Sequence, residues 1–223
     1  MSERRALVVR GGWDGHAPVA ATEVFIPHLE EQGFAVGISE DLDVYLDADR
    51  LRETDLIVQC WSIGTITGAQ AAGLEAAVRH GTGLAGWHGG IIGAFHHNRY
   101  QLLTGGKFVW HPDEFVDHVL TVRPERAQHE IVSGIDSVEL HTEKYWVISD
   151  PLNDVLATVI FDPEDDAEWS QSITMPAVWT RHWGAGRVFV STVGHRVDDL
   201  LVPEIKRITE RGLTWAARYH RAD

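Results

Sequence analysis

The chain has 223 residues, 44% of them hydrophobic with nine Trp, enough for one α/β domain over residues 1–223 with a substantial core. Thirty-three acidic against nineteen basic residues give a net charge of −14, which opposes binding to nucleic acid or an anionic membrane surface. A lone cysteine, Cys60, excludes an intramolecular disulfide and fits a reducing compartment. No stretch approaches the roughly 20 apolar residues of a membrane span, and Gly11 and Gly12 interrupt the N-terminal apolar run before signal-peptide length. A cytoplasmic protein is expected.

Arg4 to Arg10 reads as a short buried strand. Pro18 suits the first turn of a helix, with Val19, Thr22, Ile26 and Leu29 at helical spacing and Gly33 as its stop. Phe34 to Ser39 and Asp55 to Cys60 are further strands. Thr67 with Gln70 has the form of a capping box opening a helix whose apolar face is Leu74, Ala77 and Val78, and Gly81 lies at its C′ position. Thr82 to Trp87 is a fourth strand, and this β/α alternation predicts a mostly parallel central sheet. Residues 100–170 instead carry β-like runs, Phe115 to Val122 and Val155 to Phe161, a β-rich excursion in the middle of the chain. Residues 163–168 read as an acidic surface loop. Ala177 to His182 and Arg187 to Val193, joined through Trp183-Gly184-Ala185-Gly186, read as a hairpin. A final helix from Pro203 is expected to bury Ile205, Ile208, Gly212, Trp215 and Tyr219. Hairpin and helix supply either a surface for a homo-oligomer or core.

Histidines follow three of these strands: His16 after the Gly-rich turn Gly11–Gly15, His88 after Trp87, and His195 after Gly194. In an open parallel sheet the carboxyl ends of the strands form one rim, where ligands bind. Imidazoles collected there point to chemistry near neutral pH. Trp87-His88-Gly89-Gly90 has the small-neighbour pattern of a nucleophile elbow, but with histidine in place of Ser or Cys, which favours acid–base or metal work over acyl transfer. His111 lies beside Gly105-Gly106, and His141, Glu143 and Tyr145 would share one face if they sat on a strand. Asp14 accompanies His16. His28, His80, His118 and His220 lack such context and read as structural or surface residues. Cys60 has no neighbouring base in sequence and reads as a small hydrophobe. No dinucleotide fingerprint and no Gly-Lys-Ser/Thr occurs, so no nucleotide is expected.

Gly15-His16, Gly86-Trp87-His88, Gly105-Gly106-Lys107-Phe108 with His111-Pro112, Glu143-Lys144-Tyr145, Pro176-Ala177-Val178-Trp179 and Gly184-Ala185-Gly186-Arg187 leading to Gly194-His195 occur in the order seen in one family. On these motifs the chain resembles the ThuA-like, trehalose-utilisation proteins along nearly its whole length. The resemblance implies a fold like that of the class I glutamine amidotransferases, a flavodoxin-like three-layer α/β sandwich. Those enzymes carry a cysteine at the elbow; His88 stands there in this chain, so glutaminase activity is not expected. The family's association with disaccharides and 3-keto sugars implies a carbohydrate substrate.

The expectation is therefore a lyase, isomerase or hydrolase acting on a disaccharide, glycoside or 3-keto-sugar derivative. His88, His195 and Glu143 are the expected catalytic groups. Asp14, His16, Trp87, Gly89, His111 and Tyr145 are expected to bind substrate, and Trp110 and Trp146 are further stacking candidates. A divalent Zn, Mn or Fe held among His16, His88, His111 and His195 is a variant of this reading. The rival is a non-catalytic carbohydrate-binding or regulatory domain on the same shell.

Overall fold

A computed structural model describes residues 4–163 and 167–219, so the acidic loop expected at 163–168 lies partly, and His220 wholly, outside the described residues. Strand β1 (Arg4–Gly12) runs two residues further than the apolar pattern indicates. The helix expected next is broken in two, α1 (Pro18–Glu23) and α2 (Ile26–Glu31). Pro27 explains the break: it has no N–H to donate, and in a continuous helix its ring would strike the carbonyl of Glu23. Phe25 and Leu29 are buried, whereas Val19 faces solvent.

After β2 (Phe34–Ser39), α3 (Ala48–Glu53) and β3 (Leu56–Ser62) comes α4 (Gly68–Arg79), with both hydrogen bonds of its capping box in place: Gln70 N donates to Thr67 Oγ1 at 3.2 Å and Thr67 N to Gln70 Oε1 at 2.8 Å. Strand β4 (Gly83–Trp87) is buried throughout. Helix α5 (Asn98–Thr104) was not legible in the sequence, since seven residues give under two turns of periodicity.

The middle of the chain supplies β5 (Gly106–Trp110), β6 (Val116–Val122), β7 (Ser137–Thr142), β8 (Trp146–Ser149) and β9 (Asp154–Phe161). The hairpin is β10 (Ile173–Trp183) and β11 (Gly186–Ser191), with Trp183 paired to Gly186. Short α6 (Val197–Leu201) leads into α7 (Pro203–Ala216), which buries Ile205, Ile208 and Gly212, half-buries Trp215, and ends before the exposed Tyr219.

One nine-stranded sheet has the order β2-β1-β3-β4-β11-β10-β9-β6-β7, and β5 and β8 form a separate pair. The first five strands in that order run parallel, and the remaining pairings are antiparallel. Thus β6, β7 and β9 of the excursion extend the same sheet, while β5 and β8 stand apart from it. Helices cover both faces of the parallel part. Ala6 and Val8 of β1 join a core with Phe25, Leu29, Ile205 and Ile208, while Leu7 and Val9 join another with Leu74, Val78 and Tyr100. Both strands of the hairpin carry fully buried residues, Trp179 and Phe189 among them, so the hairpin contributes to the core.

Candidate functional site

Strands β4 and β11 are neighbours, with Ser191 opposite Trp87. His88 and His195 therefore leave the same rim side by side, and His16, beyond the end of β1, reaches across β3 to meet them. His88 sits in the left-handed region at φ 49, a conformation that costs a non-glycine residue about 1–2 kcal/mol. This is the elbow turn: it swings the imidazole off the strand and onto the rim. Gly89 makes the close approach possible, because a Cβ there would lie 2.4 Å from His16 Cε1.

His88 Nδ1 lies 3.0 Å from the Thr192 carbonyl. A carbonyl only accepts, so Nδ1 carries the proton and Nε2 turns inward. There Nε2 lies 3.3 Å from His16 Nε2, 3.3 Å from His195 Nδ1 and 3.3 Å from Glu143 Oε2. His195 Nδ1 lies 3.0 Å from the same carboxylate oxygen, and the Tyr145 hydroxyl donates to it. His16 Nδ1 pairs with Ser62 Oγ at 2.7 Å. Three imidazoles and a carboxylate thus share one small volume, with Ser62 behind His16, Thr192 behind His88 and Tyr145 behind Glu143. Lone pairs this close require a proton or a metal ion between them.

Burial alone would raise the Glu143 pKa, but hydrogen bonds from His195, His88 and Tyr145 outweigh it and hold the carboxyl well below the usual carboxylate range. Glu143 is therefore an ionised anchor. Burial first, then the Glu143 charge, pushes the Tyr145 hydroxyl up. His16 is pushed down to about 3 by burial and then by His88 and His195. Cys60 is buried among apolar residues and pushed up to about 12, which fits a small hydrophobe and no nucleophile.

These shifts set an acid limit on stability. In metal-free protein the unfolded His16 takes up a proton near its ordinary 6.5, whereas the folded one waits until about 3. Between those values the unfolded state binds more protons, so stability falls as pH falls through that window. Burial lowers His118 and His129 in the same direction. The contribution of Glu143 is present above its ordinary 4.5 and is lost only below it. The urea midpoint of chelator-treated protein is expected to be lower at about pH 5 than at about pH 7.5; an unchanged or higher midpoint contradicts this assignment.

Of the residues singled out in the sequence, His16, His88, His195, Glu143, Tyr145 and Gly89 come together. His111 stands at the edge: its ring is 4.9 Å from Tyr145 and its Nδ1 donates to the Pro112 carbonyl at 2.6 Å. It lies outside the group of three histidines whose ligand atoms fall within 4.8 Å of one another. Asp14 is exposed on the turn before His16. Trp87 does not reach the rim; it is 1% exposed and packs on Phe25 with ring centroids 4.8 Å apart. Trp110 and Trp146 belong to a separate aromatic group with Phe161 and Trp169. Glu143 and Tyr145 lie on the connector after β7, while His141 turns away to pair with Asp117 at 2.8 Å.

Sequence reasoning missed Ser62 and Thr192, which orient two of the histidines, although both stand at the ends of apolar strands on the same rim. It also missed three rings around the centre. Phe108 stacks on Tyr145 at 3.5 Å, Phe115 lies 5.4 Å from His195, and the half-exposed Trp13 meets His16 at 4.8 Å.

Fold and site together define an α/β protein with a histidine–carboxylate centre on the carboxyl rim of its parallel strands. The family described as ThuA, trehalose utilisation, matches residues 5–216, and the chain belongs to that family. Two ThuA-like proteins of known structure are similar in fold. One, from Bacteroides uniformis, has a TM-score of 0.74 at 18% identity, covering 96% of this chain and 91% of that one. The other, from Parabacteroides merdae, has a TM-score of 0.73 at 16% identity, covering 99% and 93%. A β-galactosidase from Bacillus circulans sp. alkalophilus matches with a TM-score of 0.58 at 11% identity, over 92% of this chain and 31% of the enzyme. No curated protein sequence matches the chain. Among the described residues no helix is long and apolar enough to cross a membrane.

Proposed function

We propose that the chain is a sugar-metabolising enzyme acting on a disaccharide, glycoside or 3-keto-sugar derivative by histidine–carboxylate acid–base chemistry. The observation that carries the reading is the convergence of His88, His195 and Glu143 on one rim, with Glu143 held ionised. Glu143 accepts the Nδ1–H of His195, which leaves His195 Nε2 as the base, the same division of labour as in a carboxylate–histidine pair of a hydrolase. With a 3-keto sugar, His195 Nε2 takes the acidic proton α to the ketone, and His88, acting as the imidazolium with both nitrogens protonated, gives its Nε2 proton to the departing oxygen and returns to the Nδ1–H form held by Thr192. General acid–base help of this kind is worth about 10²–10⁴-fold. The trehalose-utilisation family supports the sugar class, and the exposed Trp13 beside His16 offers a flat apolar face at the site.

A second reading rests on the ligand-atom distances. Tetrahedral metal–nitrogen bonds of about 2.0–2.1 Å place neighbouring ligand atoms roughly 3.3 Å apart, and three contacts of His88 Nε2 have that length. His16, His88 and His195 would hold the ion, with Glu143 beside them and Ser62 and Thr192 behind. A bound divalent Zn, Mn or Fe supplies Lewis-acid polarisation of a sugar oxygen.

Elemental analysis of the untagged protein, paired with turnover assays on keto-disaccharides, tests both readings. About one metal per chain, lost in a His195 variant, favours the metal-assisted form. No metal after loading, with turnover, leaves the histidines as the acid–base pair. Sugar binding without turnover across the panel overturns the enzyme and makes the chain a carbohydrate-binding module.

A further inference from the structure

We propose a second ligand site, for a phosphate dianion or phosphate monoester, at the opposite rim of the sheet. It is independent of the histidine centre. Arg4 opens β1 and Arg187 stands second in β11, so both lie at the amino ends of parallel strands. With Arg211 from the second half of α7, Arg218 just beyond it, and His28 of α2, they line a cavity of about 620 Å³.

The chain carries an excess of fourteen negative charges, yet four guanidinium groups are gathered here. Among the described residues, Arg4, Arg187 and Arg211 have no carboxylate within ion-pair distance; Arg218 is 3.5 Å from Asp55. Backbone carbonyls hold the others in place. Arg187 donates to Ala217, Arg211 to Ser133 at 2.7 Å, and Arg4 to Gln32 at 3.4 Å. Arg187 also lies over the Trp215 ring, 5.1 Å from its centroid. Neutral acceptors position a guanidinium without cancelling its charge. Arg187 feels this: burial first, and the Arg4 charge after it, act against its protonation, while Glu130 and Tyr219 oppose them.

Among the described residues, two carboxylates, Glu130 and Asp55, set against four guanidiniums leave an excess of two positive charges. A phosphate monoester carries about −1.5 to −2 at neutral pH and presents oxygens that match the planar N–H pairs of arginine. The cavity also has room for a group larger than phosphate alone. A dianion of this kind balances the excess and relieves the repulsion among the arginines.

Isothermal titration calorimetry of the full chain with inorganic phosphate, a hexose 6-phosphate and, as control, sulfate tests the site. Saturable binding of a phosphate probe is expected, weakened about tenfold or more by Arg187→Met or Arg4→Met. Glu130→Gln is expected to tighten it, a gain that a merely misfolded variant cannot produce. Tighter binding of the hexose phosphate identifies an ester ligand; equal binding identifies phosphate itself. No saturable heat with either probe, sulfate binding as well as phosphate, or unchanged affinity in Arg187→Met would overturn the proposal.

Discussion

Replacing His88 by Asn is expected to lower turnover of the sugar substrate by about 10²–10⁴-fold, the range for losing a general acid or base, while leaving the protein folded. Asn removes the inward Nε2 but tolerates the left-handed backbone at φ 49 that this position imposes. Ala in the same place removes the imidazole equally and cannot adopt that conformation as cheaply. His88→Ala is therefore expected to be as inactive as His88→Asn and less stable than it by about 1 kcal/mol. The pair separates chemistry from backbone strain. Equal urea midpoints for the two variants would mean that strain at the elbow contributes nothing measurable. Retained turnover in both would remove His88 from the reaction.

Trp87→Ala carries the largest expected cost in stability, about 3–5 kcal/mol for truncating a buried indole in a core that cannot collapse around the loss. Trp87 is 1% exposed and rests on Phe25, and its Cδ1 lies 2.9 Å from where a Cβ on Gly194 would stand. It wedges the elbow strand against the segment that carries His195. A sugar-stacking residue behaves in the opposite way when truncated, losing affinity at an unchanged unfolding midpoint. Denaturant unfolding and sugar binding measured on the same variant distinguish the two roles. A midpoint close to that of the parent would contradict the core assignment.

The opposite fates of Trp87 and His88 show what the sequence carries and where it stops. Successive residues of a strand face opposite sides, so a histidine turned onto the rim leaves its predecessor in a core. That alternation was available in the sequence but competes with the habit of grouping neighbours into one site. The strand ends themselves were legible because the parallel strands are short apolar runs with few alternatives, and His16, His88 and His195 follow from them. Glu143 and Tyr145 were legible as residue types but not as geometry. Their placement depends on β7 joining β6 at the far edge of the sheet, a pairing that no local pattern encodes. The arginine cavity left no trace in sequence order. A scan for basic runs stops at Arg4-Arg5, and Arg5 turns away to Glu53 while Arg4 meets partners near the other end of the chain.

Strand β11 is the last of the described strands to leave the ribosome, yet it occupies the middle of the sheet, between β4 and β10. Until it is made, β4 presents a bare apolar edge. Gly83 to Trp87 is buried along its whole length in the finished molecule and has no charge to discourage a foreign strand. The nascent chain must therefore shield that edge while residues 88–185 are made, and a chain stalled before Gly186 becomes a template for aggregation. The same late insertion delivers Thr192 and His195 to the rim, so the histidine centre assembles only when translation of the fold is essentially complete.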